Sequence, residues 1–211
     1  MPIYMNGNRA NPLNYRPVSL TSVGKMCERI IANAWTQHLE ENEVVTECQF
    51  GFRKGRSCAT SLLSFYSRVI ENVQDRDGWV DAVYLDLKKA FDKVPHKRLL
   101  WKIANFGGIG GRLLDWMKDY LDKREMRTVI RNSSSSWLKV TSGVPQGSVL
   151  GPIMFGIYVN DLVDGIDSHI NLFAEDAELM RAVKDLSDCL KLQEDLDRIG
   201  KWSERWKMEF M

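Results

Sequence analysis

Three acidic residues end or interrupt apolar stretches, in an arrangement that suits divalent-cation chemistry. Glu175 and Asp176 are adjacent within the mostly apolar stretch Ile170–Met180, and Asp86 ends a second apolar run, Val80–Asp86. Neighbouring carboxylates beside apolar residues repel each other and resist burial, so such a pair is either solvated or neutralised by a cation. A lone acidic pair is typical of an exposed turn, whereas a second run ending in acid favours a metal site.

Local patterns predict where these acids lie. Ile170–Met180 is typical of a hairpin whose turn carries Glu175 and Asp176, and Val80–Leu87 is typical of a strand with Asp86 near its C-terminal end. Loops at strand ends collect functional residues in sheet proteins. The sequence therefore predicts that Asp86 can meet the acidic pair in space.

The remaining pattern alternates helices with polar turns. Asn11–Ser22, interrupted by proline, is predicted to be extended, and Asp185–Lys207 is predicted to be a helix with a solvated acidic face. The other predicted elements are helices at Val23–Glu41, Ser57–Gln74, His96–Asn105 and Ile153–Val163, a helix after the glycine cluster Gly107–Gly111, a turn at Asp75–Gly78, and a hairpin of Thr128–Arg131 with Ser136–Val140 around a serine loop.

Basic and glycine-rich loops offer possible anion contacts. Arg16 lies between Tyr15 and Pro17 on stiff backbone, and Arg53, Lys54 and Arg56 alternate with aromatics and glycines before Ser57. Such a loop either faces phosphate or is a solvated basic loop capped by Ser57. The glycines of 142–152 allow another molecule's backbone to approach, and Gln146 offers it a donor and an acceptor. Phe91 is either a core aromatic or a wall beside a ligand sugar.

Composition sets the class of protein. The chain has 211 residues with 44% hydrophobic content, enough for one domain or two small lobes, and no apolar run reaches the ~18 residues of a membrane span. An intracellular protein is expected, with its four scattered cysteines as buried thiols. Residues 86–143 hold 13 Lys+Arg against 6 Asp+Glu, and residues 161–211 hold 7 against 13. This asymmetry fits either nucleic-acid binding or solvated helices.

Five stretches in order carry a family resemblance: Asn-Tyr-Arg-Pro-Val-Ser-Leu, Gly-Phe-Arg-Lys-Gly-Arg-Ser, Tyr-Leu-Asp-Leu-Lys-Lys-Ala-Phe-Asp, Ser-Gly-Val-Pro-Gln-Gly-Ser-Val-Leu-Gly-Pro and Phe-Ala-Glu-Asp. Together they resemble the successive motifs of reverse transcriptases from non-LTR (LINE-type) retrotransposons. The resemblance implies an α/β (α+β) right-hand polymerase, with fingers at residues 1–77 and a palm at residues 78–211. The palm is expected to be an antiparallel sheet backed by helices.

The resemblance also implies roles for individual residues. Asp86, Glu175 and Asp176 match the catalytic carboxylates that hold two Mg²⁺ ions, for which Mn²⁺ is a possible substitute, and Phe91 matches the steric gate for the sugar 2′ position. The implied nucleotide-binding residues are Arg16, Arg53, Lys54, Lys89, Ala90, Phe91 and Gln146, and the implied template and primer contacts are Arg56, Pro145, Gly147, Phe173 and Ala174. The implied partners are an RNA template, a DNA primer and deoxynucleoside triphosphates, without a membrane, in nucleus or cytoplasm; no oligomeric state is implied.

One departure from the family pattern concerns the acidic pair. Glu175 stands where the family has the first of two aspartates, and the chain ends at Met211, so the thumb is expected to be absent and the domain truncated. Three hypotheses follow. The chain is an RNA-directed DNA polymerase domain impaired by Glu175, a decayed remnant that binds nucleic acid without catalysis, or a fold fragment with neither role.

Overall fold

The computed structural model describes residues 2–5, 7–19, 24–74, 79–130 and 132–211. The predicted turn Asp75–Gly78, the helix start at Ser22 and Val23, and the boundary between residues 77 and 78 lie outside these residues. Arg131, the predicted end of a hairpin strand, also lies outside them.

Helices and short strands alternate along the chain. In chain order the elements are β1 (Pro2–Tyr4), a 3-10 turn (Pro12–Asn14), β2 (Tyr15–Pro17), α1 (Gly24–Glu41), α2 (Cys58–Gln74), β3 (Trp79–Asp86), α3 (Ala90–Lys93), α4 (His96–Asn105), α5 (Gly111–Leu121), β4 (Glu125–Met126), β5 (Val129–Ile130), β6 (Ser133–Ser134), β7 (Leu138–Lys139), α6 (Gly151–Val159), a 3-10 turn (Asn160–Val163), β8 (His169–Phe173), β9 (Asp176–Val183) and α7 (Leu186–Trp206).

The chain forms two compact units, each built from two segments. The first comprises Met1–Asn42 and Phe91–Phe155, and the second comprises Glu43–Ala90 and Gly156–Met211. The assignment of fingers to residues 1–77 and palm to residues 78–211 stays a prediction.

The second unit contains a three-stranded antiparallel sheet of order β3-β9-β8. β8 and β9 form the predicted hairpin, but its turn is Ala174 and Glu175, and Asp176, predicted to lie in the turn, is the first residue of β9. β3 pairs with β9 along its whole length. The apolar side chains of Leu172, Ala177 and Leu179 are buried, which fixes the register because a one-residue slip would turn them to the opposite face. This palm-like antiparallel sheet confirms the expected mixture of helix and sheet.

Helix α7 shows that the predicted solvated acidic face is wrong at one position. Asp195 is 0% exposed and accepts hydrogen bonds from the Ser168 amide (2.8 Å), the Asp167 amide (3.2 Å) and the Arg198 guanidinium (2.7 Å). Burial alone would raise the pKa of Asp195, but these hydrogen bonds and that of the Ser168 hydroxyl outweigh burial and hold the pKa below its usual range. Asp195 thus ties α7 to the entry of β8.

Replacing Asp195 by asparagine should lower the free energy of unfolding by about 2–4 kcal/mol at pH 7, because the charged partners of a buried network lose their counterpart. The depressed carboxyl pKa stabilises the fold above the unfolded value of about 4, and this contribution is lost as pH falls through the folded pKa. Urea unfolding should therefore show a gap between wild type and variant that narrows below about pH 4.

The matched control for that experiment lies two residues further along the same helix. Asp197 is exposed and accepts a hydrogen bond from Gln193, one helical turn earlier (2.9 Å). Asp197→Asn should change stability by less than about 0.5 kcal/mol. Equal losses in the two variants would contradict the role given to Asp195.

The first unit is organised around a buried carboxylate in α1. Glu28 is buried and accepts hydrogen bonds from the Tyr120 hydroxyl (3.1 Å) and the amides of Val149 (2.6 Å) and Leu150 (3.4 Å), just before α6. Burial, followed by the charge of Glu28, raises the pKa of Tyr120 to about 12. The amides that precede a helix have no carbonyl partner within the helix, and the Glu28 carboxylate accepts hydrogen bonds from two of them.

The buried face of α1 is Glu28, Ala32, Trp35 and Leu39, whereas the apolar side chains of Met26 and Ile30 are exposed. Trp35 is oriented by donating its indole N–H to the Gly107 carbonyl (2.7 Å). The expectation of buried thiols is also wrong, since three cysteines are exposed and Cys48 is half-buried. Cys27, Cys58 and Cys189 are exposed because they lie on the solvent sides of α1, α2 and α7.

Two predicted boundaries change in the structure. The predicted helix Ile153–Val163 is α6 followed by a 3-10 turn, and the serines predicted as a loop are in part a strand, since Ser133 and Ser134 pair with Ile130 and Val129. His96–Asn105 is helical as predicted, and Ser57 caps α2 by accepting from the Thr60 amide (3.2 Å).

Candidate functional site

Two of the three predicted carboxylates are neighbours at one end of the sheet. Asp86 ends β3 and Asp176 begins β9, and the two residues are direct partners in the antiparallel register. Directly opposed residues project from the same face, with Cβ atoms about 4.5–5.5 Å apart. The predicted meeting of Asp86 with the acidic pair is therefore confirmed for Asp176.

The electrostatics of this pair follow from its geometry. Partial desolvation, followed by the charge of Asp86, raises the pKa of Asp176 above its usual range. The pKa of Glu178, two residues along β9, is raised by desolvation and then by the charge of Asp176. Negative charge thus accumulates along one face of β3 and β9, and a bound cation would relieve it.

Glu175 lies in the turn between β8 and β9, and that turn is held on two sides. The preceding Ala174 has a positive φ of 56° and donates its amide to Gln49 Oε1 (3.1 Å), which also accepts from the Gly51 amide (2.7 Å). The Glu175 carbonyl accepts from the Leu87 amide (3.3 Å). A side chain at position 51 would overlap the Ala174 amide, so glycine is required there.

The donor set at the strand ends suits a hard divalent cation. Carboxylate oxygens are the ligands that Mg²⁺ and Mn²⁺ prefer, and Asp86 and Asp176 present two carboxylates side by side. Within the described residues, no group of three or more His, Cys, Asp or Glu side chains is arranged to hold a metal ion. The two aspartates are suitable ligands for a divalent cation, while a ligand role for Glu175 stays a prediction.

In the predicted basic loop of the second unit, both arginines lie against the carboxylate of Glu47. Arg56 forms an ion pair with Glu47 and lies over the Phe50 ring at 4.7 Å, and Arg53 lies 3.6 Å from the same carboxylate. Arg53 also donates to the Thr46 carbonyl (3.0 Å). Lys54 is exposed. A phosphate bound by the two arginines would therefore compete with Glu47.

The remaining predicted residues of this unit surround the turn and the end of β3. Lys89 is exposed with a positive φ of 51°, and Ala90 is buried. Phe173 is half-buried opposite Asp176, and Ala174 is buried in the turn. Ala174 thus offers a ligand little side-chain surface.

In the first unit, Phe91 and Gln146 are fixed by near neighbours. The Phe91 ring stacks on Phe155 with centroids 4.6 Å apart, and the Phe91 carbonyl accepts from the Val144 amide (2.7 Å). Gln146 donates its side-chain amide to Asp92 (3.0 Å), and its backbone carbonyl accepts from Ser19 (2.9 Å). The hydrogen bond to Asp92 uses the side-chain nitrogen of Gln146, so its side-chain carbonyl oxygen can accept from another donor.

The glycines of residues 142–152 serve the chain's own packing. A Cβ at Gly143 would lie 2.7 Å from the Phe91 carbonyl oxygen, and one at Gly147 would lie 3.1 Å from the Ser19 carbonyl oxygen. Both glycines have positive φ, and Pro145 is buried. The approach of a second molecule's backbone, predicted from these glycines, is therefore not needed to explain them.

Arg16 lies in β2, paired with Ile3 of β1, and its side chain is exposed. Sequence reasoning missed Gln49, Glu47 and Asp92, which hold the turn, the two arginines and Gln146 respectively. Each is a polar residue in a loop or short helix, and nothing in its local pattern distinguishes it from a solvated one.

Comparisons with known proteins bear on this arrangement. Residues 8–211 match the family model described as reverse transcriptase (RNA-dependent DNA polymerase). The chain is 31% identical over 211 residues to a probable RNA-directed DNA polymerase from transposon BS of Drosophila melanogaster, covering 93% of this chain and 22% of the relative. The RNA-directed DNA polymerase from mobile element jockey, also from Drosophila melanogaster, is 31% identical over 92% of this chain and 22% of its own length. The chain thus spans about a fifth of these relatives.

Solved structures of low sequence identity share the fold. The apo telomerase of Candida tropicalis superposes with a TM-score of 0.63 at 10% identity, over 88% of this chain and 35% of that chain. A Candida albicans telomerase, solved in complex with the TWJ fragment of telomeric RNA, gives 0.62 at 11% identity over 87% of this chain and 33% of that chain. No helix among the described residues is long and apolar enough to cross a membrane.

Proposed function

Since the chain belongs to the reverse transcriptase (RNA-dependent DNA polymerase) family, we propose that it is the polymerase domain of a non-LTR retroelement, which extends a DNA primer on an RNA template. The observation that carries this proposal is the register pairing of Asp86 with Asp176 at one end of the sheet. The relatives named for transposon BS and jockey supply the retroelement class, and the RNA-bound telomerase supplies an RNA partner for the shared fold.

The reaction joins the primer to one incoming deoxynucleotide. The primer 3′-hydroxyl oxygen bonds to the α-phosphorus and loses its proton to water. The bond from that phosphorus to the bridging oxygen breaks, and pyrophosphate leaves with the electron pair. Two Mg²⁺ ions, when bound, would stabilise the entering and leaving oxygens. Asp86 and Asp176 would bind and orient the metal ions. The antiparallel pairing of β3 with β9 holds the two carboxylates side by side.

The proposal assigns the other predicted residues to the substrates. Arg16, Arg53, Lys54, Lys89, Ala90, Phe91 and Gln146 are assigned to the deoxynucleoside triphosphate, and Arg56, Pro145, Gly147, Phe173 and Ala174 to the template and primer. The side-chain carbonyl of Gln146 supports its assignment, since its amide nitrogen is already oriented by Asp92. Arg53 and Arg56 are paired with Glu47, so the phosphate of a bound substrate would replace the Glu47 carboxylate as their partner.

A second candidate function rests on Glu175. Among the described residues, no three His, Cys, Asp or Glu side chains are arranged to hold a metal ion, and Glu175 stands where the family has aspartate. A decayed remnant that binds nucleic acid without catalysis would have this pattern.

Primer extension separates the two functions. A labelled DNA primer annealed to an RNA template should lengthen in Mg²⁺ with all four deoxynucleoside triphosphates, and should not lengthen without metal. Duplex binding with no extension in either Mg²⁺ or Mn²⁺ would support the non-catalytic remnant.

Replacing Phe91 by alanine should let ribonucleotides compete with deoxyribonucleotides, because a ring that blocks the 2′-hydroxyl is removed. The ratio of kcat/KM for deoxyribonucleotide over ribonucleotide should fall by about tenfold or more, as expected when a steric exclusion is lifted. Single-nucleotide incorporation on an RNA template measures this ratio.

The control is Phe91→Tyr, which keeps the ring and its stacking on Phe155. Its discrimination ratio should remain close to that of wild type. An active Phe91→Ala enzyme with unchanged discrimination would remove Phe91 from the nucleotide site.

A further inference from the structure

A β-ribbon projects from the first unit between α5 and α6, comprising residues 124–140. The outer pairing joins Glu125 to Lys139 and Met126 to Leu138, and the inner pairing joins Val129 to Ser134 and Ile130 to Ser133. The Ser135 amide donates to the Thr128 carbonyl (2.9 Å), and the Val140 amide donates to the Arg124 carbonyl (2.8 Å). The four short strands β4 to β7 therefore form two successive antiparallel pairs, β4 with β7 and β5 with β6, in one hairpin.

The hairpin contains a β-bulge at its centre. Because Met126 faces Leu138 while Thr128 faces Ser135, the single residue Arg127 lies opposite both Ser136 and Trp137. Bulges change the direction of a side chain and increase the local twist. Here the bulge brings the Arg127 guanidinium over the Trp137 ring, 4.6 Å from its centroid.

Every described residue from 125 to 139 is exposed. The exposed side chains include the large apolar residues Met126, Val129, Ile130, Trp137 and Leu138, with Trp137 at 56%. An isolated two-stranded hairpin is only marginally stable in water. A ribbon that presents aromatic and apolar surface on both faces is thus a surface for a ligand.

The charge of the ribbon identifies the kind of ligand. In the described part of residues 123–140, the cations Lys123, Arg124, Arg127 and Lys139 stand against the single acid Glu125. Arg124 lies over the Tyr120 ring at 5.4 Å, and Tyr120 stacks on Trp116 at 5.2 Å. In proteins that bind single-stranded nucleic acid, cationic side chains bind the phosphates and aromatic rings stack on the bases.

We propose that the ribbon binds single-stranded nucleic acid, with a base stacked on the free face of Trp137 and phosphates held by Arg127 and Lys139. Arg127 covers one face of the indole and fixes its orientation, and the serines 133–136 precede Trp137 on its own side of the hairpin. A stacking platform needs an unpaired base, because both faces of a base in a duplex are covered. This surface shares no residue with the polymerase site proposed above.

The test uses fluorescence anisotropy with the whole chain and labelled probes of about 12 nucleotides, within the span of known single-strand sites. The probes are oligouridylate, oligothymidylate and a blunt duplex. Trp137→Ala should weaken single-strand binding by about tenfold with an unchanged salt slope, since base stacking is lost without a charge. Trp137→Phe, which keeps a ring, should recover part of the affinity. Similar losses on both single strands would indicate stacking alone, and a larger loss on RNA would add a 2′-hydroxyl contact.

The charge contribution is measured separately. Arg127→Gln combined with Lys139→Gln should reduce the slope of log K against log salt by about 1.4, since each phosphate contact to a single strand contributes about 0.7. The control is Trp79→Ala, a tryptophan on β3 of the other unit that is 78% exposed. This control should leave both affinity and slope unchanged.

Three outcomes would overturn the proposal. Unchanged affinity and slope in the ribbon variants would exclude a nucleic-acid contact there, and a preference for the duplex probe that depends on Trp137 would exclude a single-strand platform. Self-association that is lost in Trp137→Ala, without an effect on the probes, would assign the ribbon to a second copy of the chain. Because Asp86→Asn leaves the ribbon intact, a chain that extends no primer and still shows Trp137-dependent binding separates this proposal from the polymerase function.

Discussion

Asp86→Asn is expected to abolish primer extension on an RNA template, with a loss on the order of 10³-fold or more. Asparagine keeps the size of the side chain and removes the charge that, with Asp176, would hold the cations. Initial rates of extension in Mg²⁺ measure the loss. Asp81→Asn is the matched control, because Asp81 lies on the same strand, is exposed and projects from the opposite face.

The same substitution has a readout that does not depend on turnover. Since the charge of Asp86 is the second cause of the raised pKa of Asp176, Asp86→Asn should bring that pKa down towards its usual value. A raised carboxyl pKa in the folded state costs stability above the unfolded value. The variant should therefore be slightly more stable at pH 7, with the difference vanishing below about pH 4.

Carboxyl chemical shifts titrated by NMR measure the Asp176 pKa, and urea unfolding at several pH values measures the stability. An unchanged Asp176 pKa would contradict the close approach of the two carboxylates. Extension that survives in Asp86→Asn would remove the residue from the catalytic centre.

Glu175→Asp should raise the rate of primer extension in Mg²⁺ by about one to two orders of magnitude, because a misplacement of roughly 1 Å can cost about 10²-fold. Glutamate keeps the charge but moves its carboxylate outward by one methylene. The backbone has little freedom to compensate, since the Ala174 amide is held by Gln49 and the Glu175 carbonyl by Leu87. Mg²⁺ tolerates little departure from octahedral geometry, so the displacement matters.

Two further measurements make this expectation specific. Mn²⁺, which we expect to be less exacting in its geometry, should recover part of the deficit of the wild-type chain and narrow its gap from Glu175→Asp. Glu178→Asp, the same shortening on β9, should give no gain in rate. Equal rates for wild type and Glu175→Asp would contradict the geometric argument. If neither form extends a primer while both bind duplex, direct measurement of Mn²⁺ binding decides whether the carboxylates hold metal.

Local sequence determined the features of this protein that depend on near neighbours. The strand that ends at Asp86, the hairpin around Glu175 and the cap at Ser57 arise from interactions within a few residues, and each is present in the structure. The order of five motifs identified the family, which the match over residues 8–211 confirms. Such signals survive in a single sequence because strand and cap preferences are set by local backbone and side-chain geometry.

Only tertiary structure decided which polar residues became internal and which acid of the adjacent pair is the direct partner of Asp86. In the sequence, Glu28 and Asp195 look like ordinary solvated acids of amphipathic helices. Both are buried, because hydrogen-bond donors from distant parts of the chain meet their carboxylates. The register that opposes Asp86 to Asp176 joins strands 90 residues apart in sequence. Long-range pairing depends on which apolar faces are buried together, and this is a property of the packed chain rather than of any local stretch.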